Sequence, residues 1–231
     1  MDTIVLRDYS ETIPYQYEDG KACFLGMDIA VDPRVFIPRP ETELLVEATV
    51  SMCRAMGWEM PNILELGTGS GIIPLGLTKM MPFSNVFAAD ISRGALDVAR
   101  ENVEKHGKEG RVHLVRSDMF SAFGEEHLGS FDVIVSNPPY ISHADLDKLD
   151  AWVKAEPQIA LNGGPDGLDY YRTILSRGPL YLKKRGFIAV EVGYDQGRAV
   201  RDMFSLAGLS DVRGFFDMNG YERVVTGWKN G

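Results

Sequence analysis

The stretch Asn62-Ile-Leu-Glu-Leu-Gly-Thr-Gly-Ser-Gly-Ile-Ile-Pro-Leu75 runs from an apolar strand pattern, through a glycine-rich turn, into an apolar helical pattern. Glycine tolerates positive φ and lets a ligand come close to the backbone. The spacing of Gly67, Gly69 and Gly71 differs from the G-x-G-x-x-G of dinucleotide-binding turns. Glu65, just before the first glycine, would repel a phosphate and attract a cationic group. The turn therefore predicts a ligand that lacks phosphate and carries an amine or a positive charge.

The alternation of strand and helix continues along most of the chain and predicts a parallel sheet with helices on both faces. We expect strands at residues 62–66, 85–89, 111–115, 131–136 and 186–192. We expect helices at residues 40–56, 72–81, 93–106, 170–183 and 195–207. Residues 212–226 are typical of a hairpin around the turn at 217–220, and residues 14–35 predict a small β-hairpin against this core.

A second informative motif, Asn137-Pro138-Pro139-Tyr140, follows the strand pattern of residues 131–136. It therefore lies at a strand's carboxyl end, where open α/β sheets bind their ligands. Both prolines fix φ and lack an N–H, and Pro138 pushes Asn137 toward extended backbone. The resulting stiff corner presents an amide, bare carbonyl oxygens and an aromatic ring, which suit a flat group that carries an NH2. Taken alone, the motif is equally consistent with an ordinary proline turn.

Two aspartates follow the neighbouring strand patterns. Asp90 lies where nucleotide-binding α/β folds hold a ribose diol, and Ser92 already occupies the helix-capping position that would be its alternative role. Asp118 would accept a hydrogen bond from an adenine amine, with Met119 or Phe120 against the ring; a solvated turn aspartate fits the spacing equally well. Together with the glycines, these acids suit an adenosine with a positively charged tail and no phosphate, a description that S-adenosylmethionine meets.

The strand-end motifs resemble, as a series, those of class I S-adenosylmethionine-dependent methyltransferases that act on planar amino groups. The motifs are Glu65, Gly67, Gly69, Gly71, Asp90, Asp118 and Asn137-Pro138-Pro139-Tyr140. Residues 35–47 and 156–172 further resemble one branch, the HemK/PrmC protein-glutamine N5-methyltransferases, and residues 14–31 resemble its hairpin linker. The resemblance covers about residues 14–228. It implies a Rossmann-like α/β fold with a mostly parallel seven-stranded sheet, helices on both faces and a carboxyl-terminal antiparallel hairpin.

The resemblance implies methyl transfer from S-adenosylmethionine to the side-chain nitrogen of a protein glutamine, in the Gly-Gly-Gln motif of peptide-chain release factors. Glutamine methylation of a ribosomal protein and N-methylation of an exocyclic amine in nucleic acid are the alternatives. The predicted cofactor-binding residues are Glu65, Gly67, Thr68, Gly69, Gly71, Asp90, Ile91, Asp118, Met119, Phe120 and Asn137. The predicted substrate-binding residues are Phe36, Arg39, Asn137, Pro138, Pro139 and Tyr140. Of these, we expect Asn137, Pro138 and Tyr140 to be catalytic.

Composition favours a protein substrate over nucleic acid. The 231 residues carry a formal net charge of −9, whereas an enzyme that binds nucleic acid needs a basic face. No stretch approaches the length of a membrane span, and no charged-then-apolar leader is visible. Cys23 and Cys53 are typical of reduced thiols, and the four histidines lack ligand spacing, so we expect a cytoplasmic protein without a metal site.

We expect two parts, a short amino-terminal segment with a β-hairpin linker over residues 1–35 and a catalytic domain over residues 36–231. Bacterial members of the family usually carry a helical amino-terminal domain that engages the protein substrate, whereas only residues 1–13 precede the linker motif here. Either this domain has been lost or removed, or an accessory protein supplies its function. Residues 162–167 predict a flexible loop, either a lid over the site or a simple connector.

Overall fold

The structure, a computed structural model, describes residues 12–231. Its strands are β1 (Lys21–Phe24), β2 (Met27–Ala30), β3 (Asn62–Leu66), β4 (Asn85–Asp90), β5 (Val112–Arg116), β6 (Phe131–Ser136), β7 (Leu182–Glu191), β8 (Leu209–Phe216) and β9 (Glu222–Lys229). Its α-helices are α1 (Tyr15–Asp19), α2 (Pro40–Ala55), α3 (Ile72–Met80), α4 (Arg93–Lys105), α5 (His143–Leu146), α6 (Ala151–Lys154), α7 (Gln158–Leu161), α8 (Asp169–Tyr181) and α9 (Gly197–Leu206). One short 3₁₀ helix spans Glu125–His127.

Seven strands form one sheet in the order β5-β4-β3-β6-β7-β9-β8. Strands β3 to β7 pair in parallel, and β9 pairs antiparallel with both β7 and β8. This confirms the predicted mostly parallel seven-stranded sheet with its carboxyl-terminal antiparallel hairpin. The strand order reverses direction between β3 and β6, and ligands of open α/β sheets bind at such a point, outside the carboxyl ends of the strands.

Both faces of the sheet are covered by helices, as the strand sequences predict. Successive side chains of a strand point to opposite faces, and parallel strands buried on both faces are apolar almost throughout. In β3, Ile63 belongs to the core that α2, α3 and α4 cover, and Leu64 belongs to the core under α8 and α9. Glu65 is fully buried within the same strand. It is therefore a carboxyl group placed where the pattern calls for an apolar side chain.

The largest difference from the predicted boundaries is at the start of β7. This strand begins at Leu182, four residues earlier than residue 186, because Leu182 already pairs with Phe131 of β6. The register between the two strands then shifts, and Arg185 adopts a positive φ of 64°. A bulge of this kind bends a strand and shifts its pairing without ending it. The sequence pattern therefore located only the regular half of the strand.

The predicted amino-terminal β-hairpin is present, as β1 and β2, and it packs on helix α4. The side chain of Asn102 in α4 bonds to Ala30 in both directions, as acceptor from its N–H at 2.7 Å and donor to its carbonyl at 2.9 Å. Helix α1, which precedes the hairpin, was not predicted. Residues 1–11, most of the predicted amino-terminal segment, lie outside the described residues. No helix within residues 12–231 is long and apolar enough to cross a membrane.

Candidate active site

A cavity of about 300 Å³ lies at the carboxyl ends of the central strands. Its walls come from the loops that follow β3, β4, β5 and β6, from the segment before α2, and from α6 and α7. The structure thus brings together most of the residues predicted from sequence. Those that line the cavity are Phe36, Arg39, Gly67, Thr68, Gly69, Asp90, Ile91, Asp118, Met119, Asn137, Pro138, Pro139 and Tyr140.

The glycine-rich turn is held against the end of β4. The N–H groups of Gly67 and Thr68 both donate to the Ala89 carbonyl, at 2.8 and 2.9 Å. Gly67 and Gly69 have φ values of 77° and 55°, a region that residues with a Cβ rarely adopt. The turn therefore needs glycine at these positions, and it brings bare backbone to the cavity wall.

Three of the residues predicted to contact the cofactor, Glu65, Gly71 and Phe120, lie outside the cavity lining. Gly71 caps α3 with a φ of 83°, and a Cβ there would come within 3.3 Å of the Ala99 Cβ. Its function in this structure is close packing of α3 on α4. Phe120 is fully buried and stacks on Tyr181 at 4.8 Å between centroids. Of the two candidates for contact with the adenine ring, only Met119 reaches the cavity, because the chain turns there with a positive φ of 47°.

Glu65 lies behind the lining, with both carboxylate oxygens buried and without a hydrogen-bond partner among the described residues. Burial raises the pKa of Glu65 to about 8; the nearby Thr68 side chain opposes the rise, and the Asp90 carboxylate adds to it. A buried carboxyl group without a partner is costly unless a ligand supplies one. A cationic amine would relieve this cost, so the arrangement fits the positively charged tail predicted from sequence.

Asp90 is held by the backbone at the tip of β4. Its carboxylate accepts hydrogen bonds from the N–H of Gly69 at 2.9 Å and of Ser92 at 2.8 Å. Ser92 caps α4 by accepting from the Ala95 N–H, which confirms the capping position predicted for it. Burial raises the pKa of Asp90, and the backbone donors oppose the rise. The carboxylate is thus fixed at the cavity, with acceptor capacity left for a diol.

Hydrogen bonds from neighbouring segments hold residues 137–140, which we call the Asn137 corner. The Ser136 hydroxyl donates to the Leu66 carbonyl at 2.7 Å, which ties the end of β6 to the end of β3. The Asn137 Nδ2 donates to Thr42 Oγ1 at 3.1 Å, and Thr42 Oγ1 donates to Glu191 Oε2 at 2.7 Å. Thr42 comes from α2 and Glu191 from the end of β7, so two distant segments meet under one side chain.

The loop over residues 162–167 packs directly against this corner. A Cβ on Gly167 would lie 2.3 Å from the Tyr140 carbonyl oxygen, and one on Gly163 would lie 2.7 Å from the Tyr140 Cα. The Gln196 side chain donates to the Tyr140 carbonyl at 2.9 Å and to the Gly167 carbonyl at 3.3 Å. The glycines of this loop therefore permit a close approach, which makes the loop a packed wall behind Tyr140.

An aromatic stack forms the opposite rim of the cavity. The Arg39 guanidinium contacts the rings of both Phe36 and Trp152, at 4.6 and 5.3 Å from their centroids. Arg39 also pairs with Glu156, a buried carboxylate that accepts from the Ile37 N–H at 3.0 Å. Burial raises the pKa of Glu156, and Arg39 opposes this rise. The pair joins the loop before α2 to the segment after α6 and so fixes the rim.

Sequence reasoning missed several residues of the site. Trp152, Ile159 and Tyr170 line the cavity, and Thr42 and Glu191 lie at its base. Ile159 and Tyr170 lie within the motif at residues 156–172, so the sequence did indicate that their segment is important. Glu191 offered a second signal, as a charged residue that ends an apolar strand pattern. Neither signal could show which side chains meet.

Comparisons with known proteins agree with this geometry. Residues 40–158 match the family described as the methyltransferase small domain. The chain is 41% identical over 215 residues to a release factor glutamine methyltransferase of Geobacter sulfurreducens, with 93% of this chain and 72% of that protein covered. It is 44% identical over 195 residues to one of Moorella thermoacetica, with 84% and 67% covered.

A solved structure adds the same similarity at the level of the fold. It is the protein-(glutamine-N5) methyltransferase (release factor-specific) of Alicyclobacillus acidocaldarius, which superposes with a TM-score of 0.51 at 28% identity. The match covers 88% of this chain and all of that one. Fold, site and sequence similarity thus point to one family.

Proposed function

The chain belongs to the release factor glutamine methyltransferases, and we propose that it methylates the side-chain nitrogen of a glutamine in a peptide-chain release factor, with S-adenosylmethionine as the methyl donor. The observation that carries the proposal is the Asn137 corner. Asn137, Pro138 and Pro139 line the cavity beside the glycine-rich turn. This is the arrangement that a planar amide nitrogen needs if it is to meet a methyl donor.

The residues around the cavity fit S-adenosylmethionine part by part. The unpartnered Glu65 suits its amine, the Asp90 carboxylate suits its ribose diol, and Asp118 with Met119 suits its adenine. S-adenosylmethionine supplies a methyl group bound to a positively charged sulfur, so the group that departs is neutral. The demanding part of the reaction is therefore the amide nucleophile, whose lone pair is delocalised into its carbonyl.

The chain's own residues address that difficulty by position. Asn137 Oδ1 and the Pro138 carbonyl accept the two N–H bonds of the glutamine amide, which fixes its nitrogen and favours positive charge there. Tyr140 and Phe36 both line the cavity, and in this proposal their rings flank the flat amide. Burial raises the pKa of Tyr140 far above its usual value, so its hydroxyl stays protonated and is not a base. The methylated nitrogen instead releases one of its two protons to water after the transfer. Correct placement in a near-attack geometry supplies about 7–11 kcal/mol in well-oriented reactions.

The partner in this proposal is the release factor itself, through its Gly-Gly-Gln motif. A cytoplasmic location is part of the proposal, since translation takes place there. Docking by an accessory protein stays a prediction. Its test is whether a second cellular protein raises the methylation rate of the purified enzyme.

Mass spectrometry tests the proposed function directly. Purified enzyme and S-adenosylmethionine are incubated in parallel with release factor, with ribosomal proteins and with RNA, and each product is digested and sequenced. We expect one added methyl group on the glutamine of the Gly-Gly-Gln motif. Methylation of RNA alone, or of a ribosomal protein alone, would contradict the proposal.

A further inference from the structure

The amide of Asn137 must present its oxygen, not its nitrogen, to the substrate. Only an acceptor can bind the N–H groups of a glutamine amide, and the two ends of an asparagine amide have nearly the same shape. A 180° rotation about the Asn137 side chain would place an NH2 group in the cavity and abolish the proposed contact. Some feature of the protein has to select one orientation.

The hydrogen bonds below Asn137 make this selection. A carboxylate only accepts hydrogen bonds, so the single proton of the Thr42 hydroxyl is directed to Glu191 Oε2, at 2.7 Å. Thr42 Oγ1 then has only lone pairs left to offer, and the Asn137 Nδ2 donates to it at 3.1 Å. Within residues 12–231, the structure shows no hydrogen bond to the Asn137 Oδ1, which is left for the cavity. The hydrogen bonds are therefore donated in one direction, from Asn137 to Thr42 and from Thr42 to Glu191.

We propose that Thr42 and Glu191 are positioning residues, which set the orientation of the Asn137 amide and thereby switch methyl transfer on when Glu191 is ionised. The inference rests on the proposed function of the site and deepens it. It assigns no contact with the substrate to either residue. Protonation of Glu191 would let its O–H donate to Thr42, free the Thr42 proton to point at Asn137, and favour the reversed amide.

The surroundings of Glu191 place this change in the physiological range. Burial raises the pKa of Glu191 to about 7, against the opposing hydrogen bond from Thr42; the nearby Asn137 amide also lowers this pKa. Among charged groups, Glu41 on α2 raises this pKa and Arg223 on β9 lowers it. Tyr140 faces it from the loop after β6, and the Tyr171 hydroxyl of α8 donates to the Glu191 backbone carbonyl at 3.0 Å.

The direction of the pH effect follows. The active form is the one in which Glu191 is ionised. At saturating S-adenosylmethionine, kcat should therefore increase with pH, with a midpoint near pH 7. With this pKa, we expect kcat at pH 6 to be about tenfold below that at pH 8. Saturation with S-adenosylmethionine keeps any titration of Glu65, which concerns the cofactor, out of this measurement.

Variants of Thr42 test the geometry. Thr42→Val keeps the shape but removes the hydroxyl, and we expect kcat to fall on the order of 100-fold, as for other misplaced catalytic groups. Thr42→Ser keeps the hydroxyl, and we expect it to retain kcat within about threefold. The KM for S-adenosylmethionine should stay near wild type in both. A Thr42→Val enzyme with wild-type kcat would overturn the proposal, as would a Thr42→Ser enzyme as impaired as the valine variant.

Glu191→Gln tests the switch, because glutamine does not ionise in this range. We expect a lower kcat that no longer changes between about pH 6 and pH 8. An unchanged acid limb in this variant would show that another group titrates.

A spectroscopic readout separates this inference from the proposed function. In protein labelled with ¹⁵N-asparagine, the Asn137 side-chain resonance is identified by its loss in Asn137→Ala. We expect its protons to shift with pH, with a midpoint near 7 in wild type and none in Glu191→Gln. If release factor is not methylated but the resonance shifts with pH, the proposed function is wrong and the proposed control of Asn137 by Glu191 stands. If methylation occurs and the resonance does not shift with pH, only the proposed control by Glu191 is wrong.

Discussion

Replacement of Glu65 by glutamine should stabilise the ligand-free protein while it weakens cofactor binding. Glu65 is fully buried in the central strand β3, and neither of its carboxylate oxygens has a hydrogen-bond partner among the described residues. Ionisation of this group is therefore unfavourable in the folded state and unhindered in the unfolded state. Glutamine has the same shape and no charge, so it removes this cost.

The size of the stability difference follows from the shift in the pKa of Glu65. The folded-state pKa of Glu65 is raised from 4.5 to about 8, so the cost begins near pH 4.5 and grows until about pH 8. At about 1.36 kcal/mol per pH unit, the cost is about 3 kcal/mol at pH 7 and below about 1 kcal/mol at pH 5. The stability advantage of Glu65→Gln over wild type should thus grow by about 2–3 kcal/mol between pH 5 and pH 7.

Urea unfolding of both proteins at the two pH values measures this difference, in the absence of S-adenosylmethionine. At pH 7 the gain corresponds to an increase in Tm of roughly 6–12 °C for a protein of this size. Glu109→Gln, an exposed position just before β5, controls for the loss of one negative charge. Calorimetry should show at least about tenfold weaker S-adenosylmethionine binding for Glu65→Gln. An advantage of equal size at pH 5 and pH 7 would refute the reasoning.

Three further substitutions separate the parts of the site. Asn137→Ala should abolish methyl transfer and leave S-adenosylmethionine affinity within about twofold in calorimetry, and a large loss of affinity would contradict its role. Asp90→Ala should weaken S-adenosylmethionine binding about tenfold or more, and normal binding would refute the ribose contact. Glu156→Gln leaves the Arg39 guanidinium without its charge partner, so it should cost about 2–3 kcal/mol in urea unfolding and raise the KM for release factor. Unchanged values in both assays would show that the rim does not depend on this ion pair.

Local sequence predicted the parts of the fold that depend on neighbouring residues. The glycine-rich turn, the Asn137 corner and the capping by Ser92 are each encoded within a few positions, and the structure has them at the expected places. The contribution of Phe120 was not predictable in this way. Whether Met119 or Phe120 reaches the cavity depends on the backbone turn at Met119 and on the stacking partner of Phe120, Tyr181, which lies in α8.

The parts that could not be predicted are contacts between distant segments. Thr42 and Glu191 are 149 positions apart and meet only because β7 ends beside the start of α2. Arg39 and Glu156 are 117 positions apart and meet because the segment after α6 folds over the cavity. No periodicity or spacing in the sequence reports such a meeting. The sequence therefore predicted residues that line the cavity, whereas the side chains that bond to them from distant segments required the structure.

The most direct test of the central claim is transfer of radiolabelled methyl from S-adenosylmethionine to purified release factor, with wild-type enzyme and with Asn137→Ala. A release factor whose Gly-Gly-Gln glutamine is replaced by alanine serves as the substrate control. We expect label only where wild-type enzyme meets wild-type release factor. Label on the alanine-substituted release factor would contradict the proposed target, and full transfer by Asn137→Ala would contradict the proposed site.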